Sequence, residues 1–288
     1  MRSTVGQGIP LGAVVLDASS VRALQLEVLE QFSALCEAEG YRWWLCAGTL
    51  LGAVRHGGFI PWDDDIDVAM PRDDFDRFCA DSKAVPSGMA LASLRTDPDY
   101  PFPYGKFYVA DTRVVEHYDP MPTYGVGIDI FPVDAWPGTE RGRSVLSALL
   151  RLFRGMLGVR IVEADTLGTR LERLVARVGR RVLRPFPPAV FARAVTWVVR
   201  RTATGDLRGV IVWGYEEKAP ARAFAHDTAL DFEGIARPAP SGWEEWLTAA
   251  YGDYRTPPPR DQQVGHPHTA AYRLPPNAVA PERGCLGT

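Results

Sequence analysis

The sequence predicts an α+β protein, and three patterns support that prediction. Apolar residues recur at spacings of three and four from Val21 to Leu35, which is typical of an amphipathic helix. Short apolar runs bounded by glycine, proline and aspartate follow and predict strands. The segment 141–208 is rich in arginine and again has helical apolar spacing. At 288 residues the chain is long enough to bury a sizeable core.

The predicted elements follow from the amino terminus. Ser19 or Ser20 can cap the first helix, which ends near Gly40. A buried strand is predicted at 41–47, and a glycine turn leads into a short helix at 48–55. An acidic strand at 65–68 and a helix at 72–82 come next, with Pro71 at or just before the first turn of that helix. Further strands are predicted at 89–94, 104–109 and 113–118. Later come a helical stretch at 143–201 that Pro185, Pro187 and Pro188 break in two, a short helix at 242–250, a proline-rich loop at 257–259 and a poorly structured tail.

Charge is distributed unevenly along the chain. The net charge is -3 and the pI is near 6.0, so no global basic field indicates nucleic-acid binding. Between Arg141 and Arg208, however, 15 arginines and no lysine face four acids. We expect these arginines to form mainly a solvated face, and the alternative is contact with an anionic membrane surface or glycan.

The cysteines and the amino terminus bear on localisation. The four cysteines, at positions 36, 46, 79 and 285, have neither zinc-ligand spacing nor a disulfide pattern. The apolar stretch from Leu11 to Leu16 is too short for a secretory signal or a membrane span. The sequence therefore predicts a cytoplasmic protein, with peripheral contact at the inner membrane face through the arginine-rich helices as the alternative.

The most informative motif is a run of four carboxylates within residues 63–67. On a strand, Asp65 and Asp67 point the same way while Ile66 and Val68 point into a core. Such a pair can hold Mg²⁺, which favours one or two carboxylates together with substrate phosphates. A calcium loop is a weak alternative because Val68 stands where that loop needs glycine. A solvated acidic turn is the other alternative.

A further acid lies within the run 125–134, which is otherwise built for burial. Asp129 would be costly there unless it faced the same cation as Asp65 and Asp67. The alternative is an edge residue bonded to backbone donors. Asp134, in the same run, is assigned that structural role.

The stretch from Ala47 to Val68 strongly resembles the LicD family, which belongs to the nucleotidyltransferase-fold superfamily and includes the fukutin-related transferases. Residues 127–132, with the sequence Gly-Ile-Asp-Ile-Phe-Pro, match a second block of that family. Its carboxyl-terminal elements are matched by residues 232–234, 251–254, 257–258 and His266. The resemblance covers about 20–135 and 205–270.

The resemblance implies a nucleotidyltransferase-like mixed β-sheet flanked by helices, with an arginine-rich helical insertion and carboxyl-terminal helical elements. It implies one catalytic domain over 1–288, divided into a core at 18–135, the arginine-rich segment at 141–208, a carboxyl-terminal part at 209–270 and a flexible tail at 271–288. Gly48 and Thr49 stand for the superfamily's glycine-serine turn. Asp65, Asp67 and Asp129 stand for its three catalytic, metal-binding acids, with Mg²⁺ or Mn²⁺ as the cofactor.

The implied activity is transfer of a phosphorylated alcohol, such as phosphocholine or a polyol phosphate, from a CDP-activated donor to a hydroxyl of a sugar, glycan or lipid-linked acceptor, with release of CMP. Asp129 is predicted to accept the proton of the attacking hydroxyl. Arg55 and Lys106 are candidates for binding the diphosphate. The alternatives are that Arg55 pairs with a nearby aspartate and that Lys106 is a solvated surface lysine. The remaining predicted substrate-binding residues are His56, Asp63, Asp64 and His266.

Two other enzyme classes fit the same acids. A nucleotidyltransferase would place a nucleoside monophosphate on the acceptor and release pyrophosphate. A metal-dependent glycosyltransferase could hold a nucleotide-sugar diphosphate on the Asp-x-Asp pair, although the turn at Gly48 and Thr49 argues against it. A noncatalytic module would be expected to lack at least one of the three acids.

Overall fold

The computed structural model describes residues 10–81, 84–115, 124–163, 168–212, 215–263, 265 and 270–275. Seven helices are found in these ranges: α1 Ala18–Glu39, α2 Ala47–His56, α3 Arg72–Ala80, α4 Glu140–Ile161, α5 Arg170–Leu183, α6 Pro188–Thr202 and α7 Trp243–Tyr251. The strands are β1 Val14–Leu16, β2 Trp44–Leu45, β3 Asp67–Pro71, β4 Met89–Ala92, β5 Gly105–Val109, β6 Thr112–Val115, β7 Gly127–Ala135, β8 Leu207–Ile211, β9 Glu216–Pro220, β10 Asp227–Phe232, β11 Ile235–Pro240 and β12 Ala270–Arg273. The predicted α+β class is confirmed.

A mixed sheet of seven strands forms the centre of the fold. Its main path runs β2-β3-β7-β5-β4, and β8 and β9 continue from the far half of β7. Only the β3–β7 pair in this sheet is parallel among the described strands. Strand β7 lies between β3 and β5. Residues paired across these three strands therefore lie next to one another in a row across the sheet.

The first helix packs on one face of this sheet. Asp17, rather than either predicted serine, caps α1 by accepting a hydrogen bond from the backbone N–H of Ser20 at 2.7 Å. Gly40 ends the helix with φ at 68°, a left-handed conformation that favours glycine. Phe32 is fully buried and meets Phe107 of β5 with ring centroids 6.1 Å apart. This packing leaves the opposite face of β3, β5 and β7 for polar side chains.

Several predicted boundaries in the amino-terminal half hold and two change. Helices α2 and α3 and strands β4 and β5 lie where they were predicted, within a few residues. The strand predicted at 41–47 shrinks to Trp44–Leu45, and Asp65 lies before β3 rather than in it. The prediction for 113–118 is confirmed through Val115, and the rest lies outside the described residues.

The carboxyl-terminal half departs further from the prediction. The arginine-rich segment forms three helices, because the chain also breaks between α4 and α5. The part at 209–270 contains β9, β10 and β11, and α7 is its single described α-helix. Residues 270–273 form β12, which pairs with β1 and β6 in a small antiparallel sheet, so the prediction of a flexible tail from 271 is wrong for 271–273. None of the described helices is long and apolar enough to cross a bilayer.

Candidate active site

Three charged side chains lie in one row across the central sheet. Asp67 of β3 pairs in register with Asp129 of β7, and Asp129 pairs with Lys106 of β5. Residues paired across neighbouring strands project their side chains to the same face. The sheet therefore brings two of the predicted acids together, although they are far apart in sequence.

Asp67 is held in a setting that opposes its negative charge. Its residue is only 7% exposed, and its backbone N–H donates a hydrogen bond to Oγ1 of Thr49 at 2.8 Å. Burial raises the pKa of the Asp67 carboxyl well above its usual value, and the nearby charges of Asp65 and Asp129 raise it further. An ionised Asp67 therefore needs a compensating cation.

Lys106 supplies one positive charge to this row. Its Nζ lies 2.5 Å from Oδ1 of Asp129, and both side chains are 18% exposed. The alternative interpretation of Lys106 as a simply solvated lysine is therefore wrong, because the strand register places Lys106 beside Asp129.

The donor set fits a hard divalent cation, although it is not a complete cage. Among the described residues, no three histidine, cysteine or acidic side chains converge closely enough to hold a metal by themselves. The crowded groups are all carboxylates, the oxygen ligands that Mg²⁺ and Mn²⁺ favour. Since Mg²⁺ commonly completes its shell with substrate phosphates and water, Asp65, Asp67 and Asp129 are the residues that would hold it.

The turn into α2 closes over the start of β3. Ala47 begins the helix with φ at 47°, a conformation uncommon for residues other than glycine. A methyl group at Gly48 would overlap a carboxylate oxygen of Asp63, so glycine allows this close approach without a shift of the Asp63 side chain. The Gly48 and Thr49 turn thus contacts one acid of the motif directly and holds another, Asp67, through its backbone.

The acidic loop is fixed from behind by α1. Nη2 of Arg22 donates to the carbonyl oxygen of Asp63 at 3.1 Å, and Nε2 of Gln25 donates to that of Asp64 at 2.7 Å. Both bonds engage the backbone, so they set the course of the loop without using its carboxylates. The side chains of Asp63, Asp64 and Asp65 have further interactions of their own.

Arg55 and His56 end α2 beside the same loop. Nε and Nη2 of Arg55 are buried and have no hydrogen-bond partner among the described residues. The guanidinium carbon lies 5.9 Å from the ring centroid of Trp62, and the His56 ring meets that indole edge-on at 6.3 Å. Burial lowers the pKa of both side chains, and the charge of Arg55 lowers that of His56 further. Neither of these two Arg55 nitrogens has an aspartate partner among the described residues, so the alternative in which Arg55 pairs with an aspartate gains no support, and these buried donors suit an anion instead.

The β10–β11 hairpin holds the glycine loop that follows α2. Oε1 of Glu233 accepts a hydrogen bond from the backbone N–H of Phe59 at 3.0 Å, and the N–H of Glu233 donates to the carbonyl of Gly57 at 2.8 Å. A methyl group at Gly58 would overlap the Glu233 side chain. The residues 232–234, selected from the sequence for family resemblance alone, therefore support the site from outside.

Two other predicted residues are placed as follows. Asp134 lies at the opposite end of β7 and receives two hydrogen bonds from Arg72, at 2.8 and 2.6 Å, so its role is structural but its partner is a side chain rather than backbone. His266 lies outside the described residues. Its neighbour Gly265 is described, and a methyl group there would overlap the carbonyl oxygen of Trp62.

Two open cavities, of about 540 and 600 Å³, lie near Arg72, which follows the last residue of β3. Both are lined by Arg72, Asp76 and Arg200, and neither is lined by an acid of the motif. Asp67 is the first residue of the same strand. These two cavities and the charged row therefore lie at opposite ends of β3.

Glu217 on β9 was not among the predicted site residues. It is 1% exposed, accepts a hydrogen bond from the Tyr251 hydroxyl at 2.6 Å, and its charge acts on Asp67. Burial raises its pKa to about 7. The sequence signal for Glu217 is the pair of adjacent glutamates in β9. Neighbouring residues of a strand point to opposite faces, so one of the two must face inward.

Replacing Glu217 with Gln is expected to change how stability depends on pH. Because the folded-state pKa of Glu217 is raised from 4.5 to about 7, the native protein binds its proton more tightly than the unfolded chain does. The free energy of unfolding should therefore fall as the pH rises from 4.5 to 7, by on the order of 3 kcal/mol from this group. Urea unfolding of the wild type and of Glu217→Gln across this range should show a smaller fall in the variant. Parallel curves would contradict the assignment.

Comparison with known proteins identifies the arrangement. Residues 40–147 match the family model described as LicD/FKTN/FKRP, nucleotidyltransferase domain, and this range contains the turn at Gly48, the acidic motif, Lys106 and Asp129. Over this range the chain resembles the LicD family. The lipopolysaccharide cholinephosphotransferase LicD of Haemophilus influenzae is 28% identical over 268 residues, which are 86% of this chain and 95% of that protein.

Shorter matches agree with this family. The ribitol 5-phosphate transferase FKRP of Homo sapiens is 46% identical over 54 residues, 19% of this chain and 11% of that protein. The relatives that carry activity names are phosphotransferases, which supports the prediction that this chain is a transferase of phosphorus-containing groups.

Proposed function

We propose that this protein, which resembles the LicD family, transfers a phosphorylated alcohol, of the phosphocholine or polyol phosphate type, from a CDP-activated donor to a hydroxyl of a sugar, glycan or lipid-linked acceptor. The observation that carries the proposal is the row of Asp67, Asp129 and Lys106 beside the Gly48 turn. A diphosphate donor brings negative charge that must be neutralised, and a crowded acidic site can accept it only together with cations. The proposed core for this chemistry is the nucleotidyltransferase-like region 18–135.

The proposed cofactor is Mg²⁺ or Mn²⁺, held by Asp65, Asp67 and Asp129. When bound, the metal would offset the charge of the diphosphate and of the departing CMP. Thr49 contributes by fixing the backbone of Asp67, and the contact of Asp63 with Gly48 fixes the turn. These contacts make the acid row a preformed part of the fold.

Arg55 is the proposed diphosphate clamp. Its two buried nitrogens without a described partner can donate in parallel to two phosphate oxygens. Lys106, already drawn to the row by Asp129, offers a second positive charge on the adjacent strand. His56 beside Arg55 is disfavoured as a cation by burial, so it would act as a neutral hydrogen-bonding group toward donor or acceptor.

Asp129 is the proposed proton acceptor. The oxygen of the acceptor hydroxyl attacks the phosphorus of the transferred group, the bond from that phosphorus to the CMP oxygen breaks, and the hydroxyl proton passes to the Asp129 carboxylate. The ion pair with Lys106 keeps this carboxylate oriented along the row. The products are a phosphodiester and CMP.

The products distinguish this proposal from its alternatives. The protein is incubated with Mg²⁺ and a sugar acceptor mixture, in parallel with CDP-choline, CDP-ribitol, CTP and UDP-glucose, and nucleotides are resolved by chromatography. We expect CMP from a CDP-alcohol and no pyrophosphate from CTP. Pyrophosphate would instead establish a nucleotidyltransferase, and UDP would establish a glycosyltransferase. Asp67→Asn serves as the inactive control for each arm.

A further inference from the structure

Helix α5 presents its apolar face outward. Its outer stripe consists of five aliphatic residues with exposures of 54 to 70%: Leu171, Leu174, Val175, Val178 and Val182. Ala176 is its one buried residue among those the structure describes. This orientation is the reverse of the usual one, since amphipathic helices of globular proteins normally turn their apolar face to the core.

Polar contacts on the inner face fix this orientation. Nε of Arg180 donates to the carbonyl oxygen of Val159 at 3.4 Å, and Nη2 donates to that of Val162, at the end of α4. These carbonyls lack partners within α4, so an arginine satisfies them well. Gly179 lies against Val159, where a methyl group would crowd that side chain. The inner face is thus matched to α4, and the outer stripe is left uncovered within the described chain.

A row of arginines borders the outer stripe on one side. At 100° per residue, Arg170, Arg177, Arg181 and Arg184 fall on the same flank of α5, and all four are exposed. Glu172, the only acid of the helix, is engaged in the capping box with Thr169. Phe186, which is 50% exposed, follows the helix and adds an aromatic ring near its end. The surface combines a deep apolar stripe with one-sided positive charge.

We propose that α5 lies in the interface of an anionic lipid bilayer, with the outer stripe among the acyl chains and the arginine row on lipid phosphates. Large amphipathic contrast with arginine beside aliphatic residues is the pattern of interfacial helices. A second copy of this chain fits less well, because antiparallel pairing across the stripe would set the two arginine rows side by side. A purely solvated face would leave five large aliphatic side chains in water. Charge complementarity therefore selects the membrane surface.

The test uses the full chain and sucrose-loaded vesicles of phosphatidylcholine alone or with 30 mol% phosphatidylglycerol, on the order of the anionic content that attracts basic segments. We expect cosedimentation with the anionic vesicles only, weakened by 0.5 M NaCl, a salt level that screens to roughly 4 Å. Leu174→Glu/Val178→Glu and Arg177→Glu/Arg181→Glu should each lower binding by about tenfold or more. The matched control Val15→Glu alters a side chain that is 61% exposed outside this segment and should bind like the wild type.

Three results would overturn the proposal. They are absence of binding to anionic vesicles, equal loss of binding in Val15→Glu, and a concentration-dependent dimer in light scattering that Leu174→Glu/Val178→Glu dissolves while vesicle binding is unchanged. Far-ultraviolet circular dichroism melts verify that the variants fold, which we expect because the altered side chains are exposed. The vesicle test measures binding and needs no enzymatic turnover. Its outcome is therefore independent of the proposed function.

Discussion

Asp67→Asn is expected to abolish transfer and to raise the melting temperature of the metal-free protein. Burial and the charges of Asp65 and Asp129 disfavour the ionised form of Asp67, so a neutral amide of the same shape relieves repulsion. Turnover should fall by more than about a hundredfold, because a ligand is lost from the proposed metal and from the diphosphate site. Steady-state release of CMP and a thermal melt in chelator measure the two effects.

The opposite directions of these effects make the result diagnostic. If Asp67 acted only in stability, its replacement would lower both the activity and the melting temperature of the protein. Asp99→Asn is a matched control, since Asp99 is exposed and is not part of the charged row. We expect it to leave both quantities near their wild-type values. Full activity in Asp67→Asn would reject the assignment of this carboxylate.

Removal of divalent ions is expected to stop turnover completely. The acid row has one lysine to offset its charge, and a CDP-activated donor would add further negative charge. Exhaustive chelation followed by dialysis should eliminate CMP release, and Mg²⁺ or Mn²⁺ should restore it. Activity that survives chelation would exclude the proposed metal dependence.

A second readout of the metal is independent of catalysis. Mg²⁺ should raise the melting temperature of the wild type, because an ion that binds only the folded state stabilises it by mass action. The same titration should leave Asp67→Asn almost unchanged, whereas Asp99→Asn should respond like the wild type. A shift of equal size in all three proteins would indicate nonspecific ion binding and would contradict the assigned ligands.

The carboxyl-terminal region illustrates where sequence patterns gave less information. Strand β11 contains two prolines and both β10 and β11 have exposed positions, so little apolar alternation reveals their pairing. Their role becomes apparent only when Glu233 contacts the loop at Gly57 and Phe59. Such contacts join residues that are far apart in the chain, so local sequence periodicity does not predict them.

The sequence by itself determined the α+β class, most helix positions, the resemblance to the LicD family and the residues from Gly48 to Asp129 that we assign to the site. These features depend on local spacing and residue type, which the chain displays directly. The tertiary structure decided that Lys106 meets Asp129, that Glu217 acts on Asp67 and that α5 turns its apolar face outward. Strand register and the partner chosen by a helix face set these relations, and both are fixed by long-range packing rather than by neighbours in sequence.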